Sequence, residues 1–470
     1  MLTVMDSRPS RNCGGYCRRE FLRVGGLGLG ALALPQWLAA GADASQQQGF
    51  VRDKAVVLLF LAGGPPQHET FDPNMSAPSE IRSTTGEVQT SLPGLTFGGD
   101  FPKMAQRAHR LAVVRSYGSD NGGHNYDSTV SASNPLKAAA SAIYARLAGT
   151  NHPKTGMPSN AFVLPEAVQP DLKFGQIGGT GDQRTMVTPG TLGPLYEAFN
   201  PAGGSALTES MELRMTPGRF ADRRSILRQL DTLRRRADAT GIVDQLDKYQ
   251  QQAFDLVTRG LGKAFDLSQE DRRTVERYDT RQVFKLAEWQ KYANLGRATN
   301  LLGHQMLMAR RLVEAGCGFV TVSDCGWDMH ADGSSAPAMT AMGPLGGQVD
   351  HAVSAFLDDV EERGLSDRIL LIISGEMGRN PVLNAKGGRE HWGSLTPLVF
   401  AGGGLNMGQV IGQSDRRGGE AATERYTPKH LLGTIMNTLF DLGQLRLDSG
   451  VPKDLAQIVV DSKRIDPLFA

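Results

Sequence analysis

Eight consecutive apolar residues at positions 55–62 are halted by Gly63-Gly64-Pro65-Pro66. A run this short is under half of what a membrane helix needs, and it lacks the alternation of a strand with one wet face. It therefore reads as a strand covered on both faces, as in a parallel sheet. Similar runs recur at 111–114, 162–164, 319–322, 369–373 and 398–400. Between the later runs, residues 349–363 place apolar side chains at 349, 352, 353, 356, 357 and 360, one face of a helix, with Gly364 as its stop. Strands alternating with helices predict an α/β fold, a mostly parallel central sheet with helices on both faces. Residues from about 205 to 300 break this rhythm. They are rich in Arg, Asp, Gln and Leu, with an amphipathic stretch at 222–238, and predict a helical insertion on the sheet domain.

The N-terminal segment has a different logic. Arg18 and Arg19 sit within Cys17-Arg18-Arg19-Glu20-Phe21-Leu22-Arg23, followed by a soft apolar stretch at 24–34 and the small residues Gly41-Ala42-Asp43-Ala44. This is the layout of a twin-arginine (Tat) export signal over 1–44. The expectation is a mature α/β domain over 45–470, handled by the Tat translocase and working in a periplasm or at a cell surface. Gly26-Leu27-Gly28-Leu29-Gly30 lies inside this segment, so it is not read as a dinucleotide fingerprint, which needs a strand before it and a helix after it.

A formal net charge of +1 without a basic stripe gives no reason to expect nucleic acid, and no second apolar run reaches bilayer length. No permanent membrane span is expected. Cys13 and Cys17 fall in the signal, while Cys317 and Cys325 flank a predicted strand that holds them too far apart for a disulfide.

Ligands in open α/β sheets collect beyond the carboxyl ends of the strands, so the polar residues following each run are the candidates. After 55–62 comes Gln67-His68-Glu69-Thr70-Phe71-Asp72-Pro73, in which Glu69 and Asp72 offer hard oxygen donors, or Asp72 simply caps a turn. After 111–114, His124 offers a metal ligand, and Asp127, Ser128 and Thr129 offer a base and hydroxyl nucleophiles, or merely a helix cap. Asp328 and His330 follow 319–322 with the spacing of two ligands in a loop. After 369–373, Glu376 stands between glycines with Arg379 close behind, either as a ligand and an anion clamp or as an ion pair that shapes the turn. Arg389 and His391 precede the next run.

In this order, Gly63-Gly64-Pro65, Glu69-Thr70-Phe71-Asp72-Pro73, Trp327-Asp328-Met329-His330, Gly375-Glu376-Met377-Gly378-Arg379-Asn380-Pro381 and Arg389-Glu390-His391-Trp392 resemble the DUF1501 family. These are exported proteins common in planctomycetes and regarded as sulfatase-like relatives within the alkaline phosphatase superfamily. The resemblance covers nearly the whole mature chain. It implies one or two divalent metal ions (Zn, Ca or Mg) held by Glu69, Asp72, His124, Asp328, His330, Glu376 and His391. It also implies catalytic roles among Asp127, Ser128, Thr129, Arg379 and Arg389, acting on an anionic ester or a sulfated glycan. Two departures stand out. Met377 replaces the His of the usual Asp-His pair, and the first strand ends in Ala62-Gly63-Gly64 where relatives carry an Asp ligand. No Cys-x-Pro-x-Arg signature is present, so a formylglycine nucleophile is not expected. The implied activity is metal-dependent hydrolysis of sulfate or phosphate esters. The alternative is a non-catalytic envelope or glycan-binding protein that keeps the fold.

Overall fold

The computed structural model describes residues 49–173, 182–202 and 261–469. The expected signal and most of the expected insertion lie outside the described residues. Seven strands form the main sheet: β1 (Ala55–Ala62), β2 (Leu111–Val114), β3 (Asn160–Val163), β4 (Phe319–Cys325), β5 (Ile369–Ser374), β6 (Leu398–Gly402) and β7 (Gln409–Ile411). Their order across the sheet is β7-β2-β6-β5-β1-β4-β3. β6 runs antiparallel to both of its neighbours, and every other pairing is parallel. Each apolar run of the sequence becomes a strand. The edge strand β7 was not anticipated, because three residues with a half-exposed Gln409 and an exposed Val410 carry no apolar run.

Central β1 shows why the sheet is covered on both sides. Alternate side chains of a strand point to opposite faces. Val57, Leu59 and Leu61 enter one core, with helices α3 (Leu302–Glu314) and α4 (Met342–Glu362), while Val56, Leu58 and Phe60 enter the other, with α2 (Ala140–Ala148) and α5 (Pro428–Leu439). A short helix, α1 (Tyr126–Val130), precedes α2. Full burial of each large apolar side chain is worth roughly 1.5–3 kcal/mol, so β1 is firmly anchored beneath its tip. Helix α4 starts seven positions earlier than the 349–363 pattern, through Met342, Pro344 and Leu345, which are also buried.

Residues 261–300 form short helical turns packed against α3 and α4. Their anchor is ionic. Glu270 pairs with Arg310 and Arg311 at 2.8 Å, and Tyr278 donates to Asp359 at 2.9 Å. Cys317 and Cys325 are buried free thiols. Among the described residues, no helix is long and apolar enough to cross a membrane.

Candidate metal centre

The chain leaves β1 through Gly63, at φ 121°, and the space a side chain would need there is taken by the Trp327–Asp328 backbone. Only glycine adopts this conformation without strain, and only its bare Cα admits so close an approach. Its N–H is thereby free to donate to the Glu376 carboxylate, at 3.0 Å and 3.2 Å to the two oxygens. Beyond β4 the chain turns at Gly326, at φ 110°. Trp327 and Met329 turn into the core, where the Trp327 indole N–H donates to Asp324 at 2.9 Å. The alternate residues, Asp328 and His330, face away from that core and toward the strand tips.

Three imidazoles surround Asp328. His124 comes from the loop after β2 and places Nε2 3.4 Å from Asp328 Oδ2. His330 Nε2 is 2.8 Å and His391 Nε2 3.2 Å from Asp328 Oδ1, and these two ring nitrogens lie 2.9 Å apart. His124, Asp328 and His391 present ligand atoms that all lie within 4.8 Å of one another.

The outward nitrogens explain the convergence. His124 Nδ1 meets Glu376 Oε1 at 2.8 Å, His330 Nδ1 meets Glu390 Oε2 at 2.7 Å, and His391 Nδ1 meets the Gly122 carbonyl at 3.1 Å. Carbonyls and ionised carboxylates only accept, so each Nδ1 carries the proton. In a neutral imidazole the inward Nε2 is then a bare lone pair. Imidazoles held by an outer acceptor with Nε2 turned inward are the usual arrangement around a bound metal. Bare lone pairs facing a carboxylate repel unless a proton or a cation lies among them.

With no cation among them, protons take that place. Burial works to raise the Asp328 carboxyl, but hydrogen bonds from His124, His330 and His391 and the Arg379 charge hold it far below the usual carboxylate range. Burial disfavours a charged His124, yet its bonds to Asp328 and Glu376 push it up to about 9. His330 is raised chiefly by its bond to Asp328. Asp328 thus stays ionised and attracts positive charge. The donor set fits a divalent cation. Two ligand atoms on a tetrahedral centre with bonds of about 2.0–2.1 Å lie about 3.3–3.4 Å apart, and His391 Nε2 and His124 Nε2 stand at comparable separations from Asp328, 3.2 Å from Oδ1 and 3.4 Å from Oδ2.

Other residues singled out in the sequence sit elsewhere. Glu69 is fully buried against Arg389, with Oε1 3.0 Å from Nη2, while Oε2 accepts from Ser83 Oγ and Thr84 N at 2.8 Å. Both of its oxygens are committed, so it does not join the cluster. Arg389 also donates to the Ile81, Arg82, Asn380 and Pro381 carbonyls, which makes it a buried tie rather than an anion clamp. Asp72 pairs with Arg115 at 3.3 Å and accepts from Ser414 at 2.5 Å. Glu376 faces the cluster through His124 Nδ1 rather than as an inward ligand. Ser128 donates to the Asn125 carbonyl and Thr129 to the Glu376 carbonyl, so neither hydroxyl is aimed at Asp328. Asp127 stands half-buried on the same helical turn.

Arg379 is fully buried. Its Nε donates to the Gly64 carbonyl, Nη1 to the Arg389 carbonyl and His330 Nε2, and Nη2 to the Gly63 and Trp327 carbonyls and Asp328 Oδ1. With His330 Nε2 bare, all five N–H groups are used, leaving none for a substrate anion.

Sequence reading missed four contributors: Gly63, Gly122, Glu390 and Asn294. Asn294 Nδ2 donates to Asp328 Oδ2 at 2.8 Å, so the stretch read as an insertion supplies a residue to the centre. Glu390 had a signal, since it is adjacent to His391. A lone Asn in a polar stretch has none.

No curated protein matches the chain. Solved structures that it resembles include the sulfatase PsFucS1 from Pseudoalteromonas sp., 12% identical, covering 79% of this chain and 66% of that one with a TM-score of 0.32. A second is the phosphonate monoester hydrolase SpPMH from Silicibacter pomeroyi, 10% identical over 88% and 76% with a TM-score of 0.31. A third is the lipooligosaccharide phosphoethanolamine transferase EptA from Neisseria meningitidis, 10% identical over 95% and 64% with a TM-score of 0.36. The family model described as "Protein of unknown function (DUF1501)" matches residues 53–461. The chain therefore belongs to the DUF1501 family.

Proposed function

We propose that this protein is an exported, metal-dependent hydrolase of sulfate or phosphate esters. The observation that carries the reading is the set of inward Nε2 atoms around an ionised Asp328, each imidazole tied from behind. His124, Asp328 and His391 would hold the cation, and Glu376 and the Gly122 carbonyl would orient the two imidazoles. A divalent ion there supplies Lewis acidity toward an ester oxygen and lowers the pKa of water. Imidazole-rich donors favour zinc or a neighbouring transition ion over calcium or magnesium, which take oxygen ligands. With Ser128 and Thr129 turned to backbone carbonyls, water is the nucleophile in this reading. His330 bridges Asp328 and Glu390, whose side chain is 55% exposed, so it can pass a proton between the centre and solvent. Export rests on the twin-arginine segment.

One observation favours a second reading, a glycan-binding protein without turnover. Arg379 and Arg389 are both consumed internally, so neither of these two buried arginines is left to grip an anionic leaving group. Elemental mass spectrometry of protein purified after native export, beside Asp328→Ala, separates the readings when followed by 4-nitrophenyl sulfate and phosphate assays. Bound metal that is lost in the variant, together with turnover, supports the hydrolase. Bound metal without turnover favours the binding protein, and no metal in either sample rejects the hydrolase.

A further inference from the structure

We propose that the turn at 415–418 is an anion-binding subsite beside the metal centre, where Arg416 and Arg417 take a second sulfate or phosphate group of the same substrate. The inference rests on the hydrolase reading above for the ester that is cleaved, and adds a place for a charge that is not.

The turn has a fixed backbone. Asp415 N–H donates to the Glu420 carbonyl at 2.8 Å, and Gly418 N–H to the Asp415 carbonyl at 2.9 Å. Gly418 stands at φ 64°, where a Cβ would lie 2.5 Å from His68 Nε2, so only glycine fits. Side chains from other loops then capture consecutive carbonyls. Arg416 O accepts from Asn74 Nδ2 at 2.9 Å, and Arg417 O from His68 Nε2 at 3.0 Å. Gly418 O accepts from Gln67 Nε2 at 3.0 Å, and Gly419 O from Trp392 Nε1 at 2.7 Å. Gln67 and Trp392 tie the turn to the centre. Gln67 also brackets Arg379, donating to its carbonyl at 2.8 Å and accepting from its N–H at 2.9 Å. Trp392 directly follows His391.

With these carbonyls held by the protein, Arg416 and Arg417 are left exposed, and neither guanidinium has an ion-pair or hydrogen-bond partner among the described residues. That sets them apart from other arginines near the strand tips. Arg379 and Arg389 are consumed internally, Arg115 pairs with Asp72, and Arg425 pairs with Asp120. The Asp415 carboxylate does not pair with them either, since its Oδ1 accepts from the Gly419 and Glu420 amides at 2.8 Å and 3.3 Å. Two adjacent like charges on a rigid turn repel, and an anion shared between them relieves that repulsion. Guanidinium forks match the paired oxygens of a sulfate or phosphate group. A backbone fixed in advance loses little freedom when such a group binds. A formal net charge of +1 gives the chain no general attraction for polyanions, so binding of one reports a local site.

Calorimetric titration of the purified full chain with dextran sulfate, dextran phosphate and neutral dextran tests the subsite. At least one anionic polymer should bind, the tighter of the two naming the preferred group, and neutral dextran should not. The double variant Arg416→Ala/Arg417→Ala, checked for folding by circular dichroism, should lose about tenfold in affinity, the scale of two exposed charge pairs. Arg273→Ala/Arg446→Ala removes two exposed arginines elsewhere and should stay within twofold of wild type. Absence of binding by either anionic polymer, or equal affinity in the two double variants, overturns the inference. Metal content of the same samples keeps the two readings apart. Bound metal with no loss in Arg416→Ala/Arg417→Ala overturns the subsite alone. The tenfold loss in protein without metal rejects the hydrolase and supports an anion site on a binding protein.

Discussion

Glu376 Oε1 lies 2.8 Å from His124 Nδ1, a bond between residues 252 positions apart that turns a loop histidine toward Asp328. The same carboxylate is held from the other side by the Gly63 N–H. Its role follows from its place behind the ring, where it sets the tautomer and raises the basicity of the inward nitrogen.

Replacing Glu376 by Gln should therefore weaken metal binding by about 10–100-fold without abolishing it. Competition with a chromogenic chelator measures this. Affinity equal to wild type would remove Glu376 from the centre.

Gly63→Ala tests the crossing point under the site. A Cβ there would lie 2.6 Å from the Asp328 backbone nitrogen, in a backbone conformation that L residues rarely adopt. Strain of about 1–3 kcal/mol is expected, together with weaker metal binding as Asp328 is displaced. Urea unfolding and metal content of the purified variant read the two effects separately.

Asp324 predicts a pH dependence of stability. Burial pushes its carboxyl up to about 7 despite the Trp327 hydrogen bond. An unfolded Asp titrates near 3.9, so between roughly pH 4 and pH 7 the native state holds a proton that the unfolded chain has released. Stability then falls as pH rises through that window, by on the order of a few kcal/mol, and levels off above it. Gln348 donates to Asp324 at 3.0 Å while its own Oε1 has no partner, so a flipped amide could accept the acid proton. Asp324→Asn should flatten the slope and be the more stable protein at pH 8. Thermal melts at pH 5 and pH 8 decide this, and parallel pH profiles for the two proteins would count against it.

Asp359→Ala should destabilise the fold by about 3–5 kcal/mol, because it strips a buried charge from its partners. Asp359 accepts from Arg310 at 2.9 Å, Arg363 at 2.7 Å and Tyr278 at 2.9 Å, and the Arg310 side chain is only 1% exposed. Glu362→Ala removes the exposed Arg277 pair, at 2.7 Å, and should cost less than about 1 kcal/mol. Chemical denaturation of the two variants side by side checks the contrast.

How far the sequence reached depends on the kind of order involved. Apolar runs closed by glycine and proline determined the central strands, since a strand covered on both faces must be apolar at every position. The 3.6-residue spacing at 349–363 determined the body of α4. Both signals are local, written by burial into neighbouring residues. Which polar residue at a strand tip joins the centre was decided only in three dimensions. Glu69 and Glu376 each follow an apolar strand, yet one is consumed by Arg389 and the other ties His124 to the cluster. Arg379 looked like a clamp until its five donors met four carbonyls, His330 and Asp328. Side chains in loops have no repeating period to set their direction, so their partners come from chain crossings such as Gly63 over Trp327–Asp328, which the sheet order alone creates.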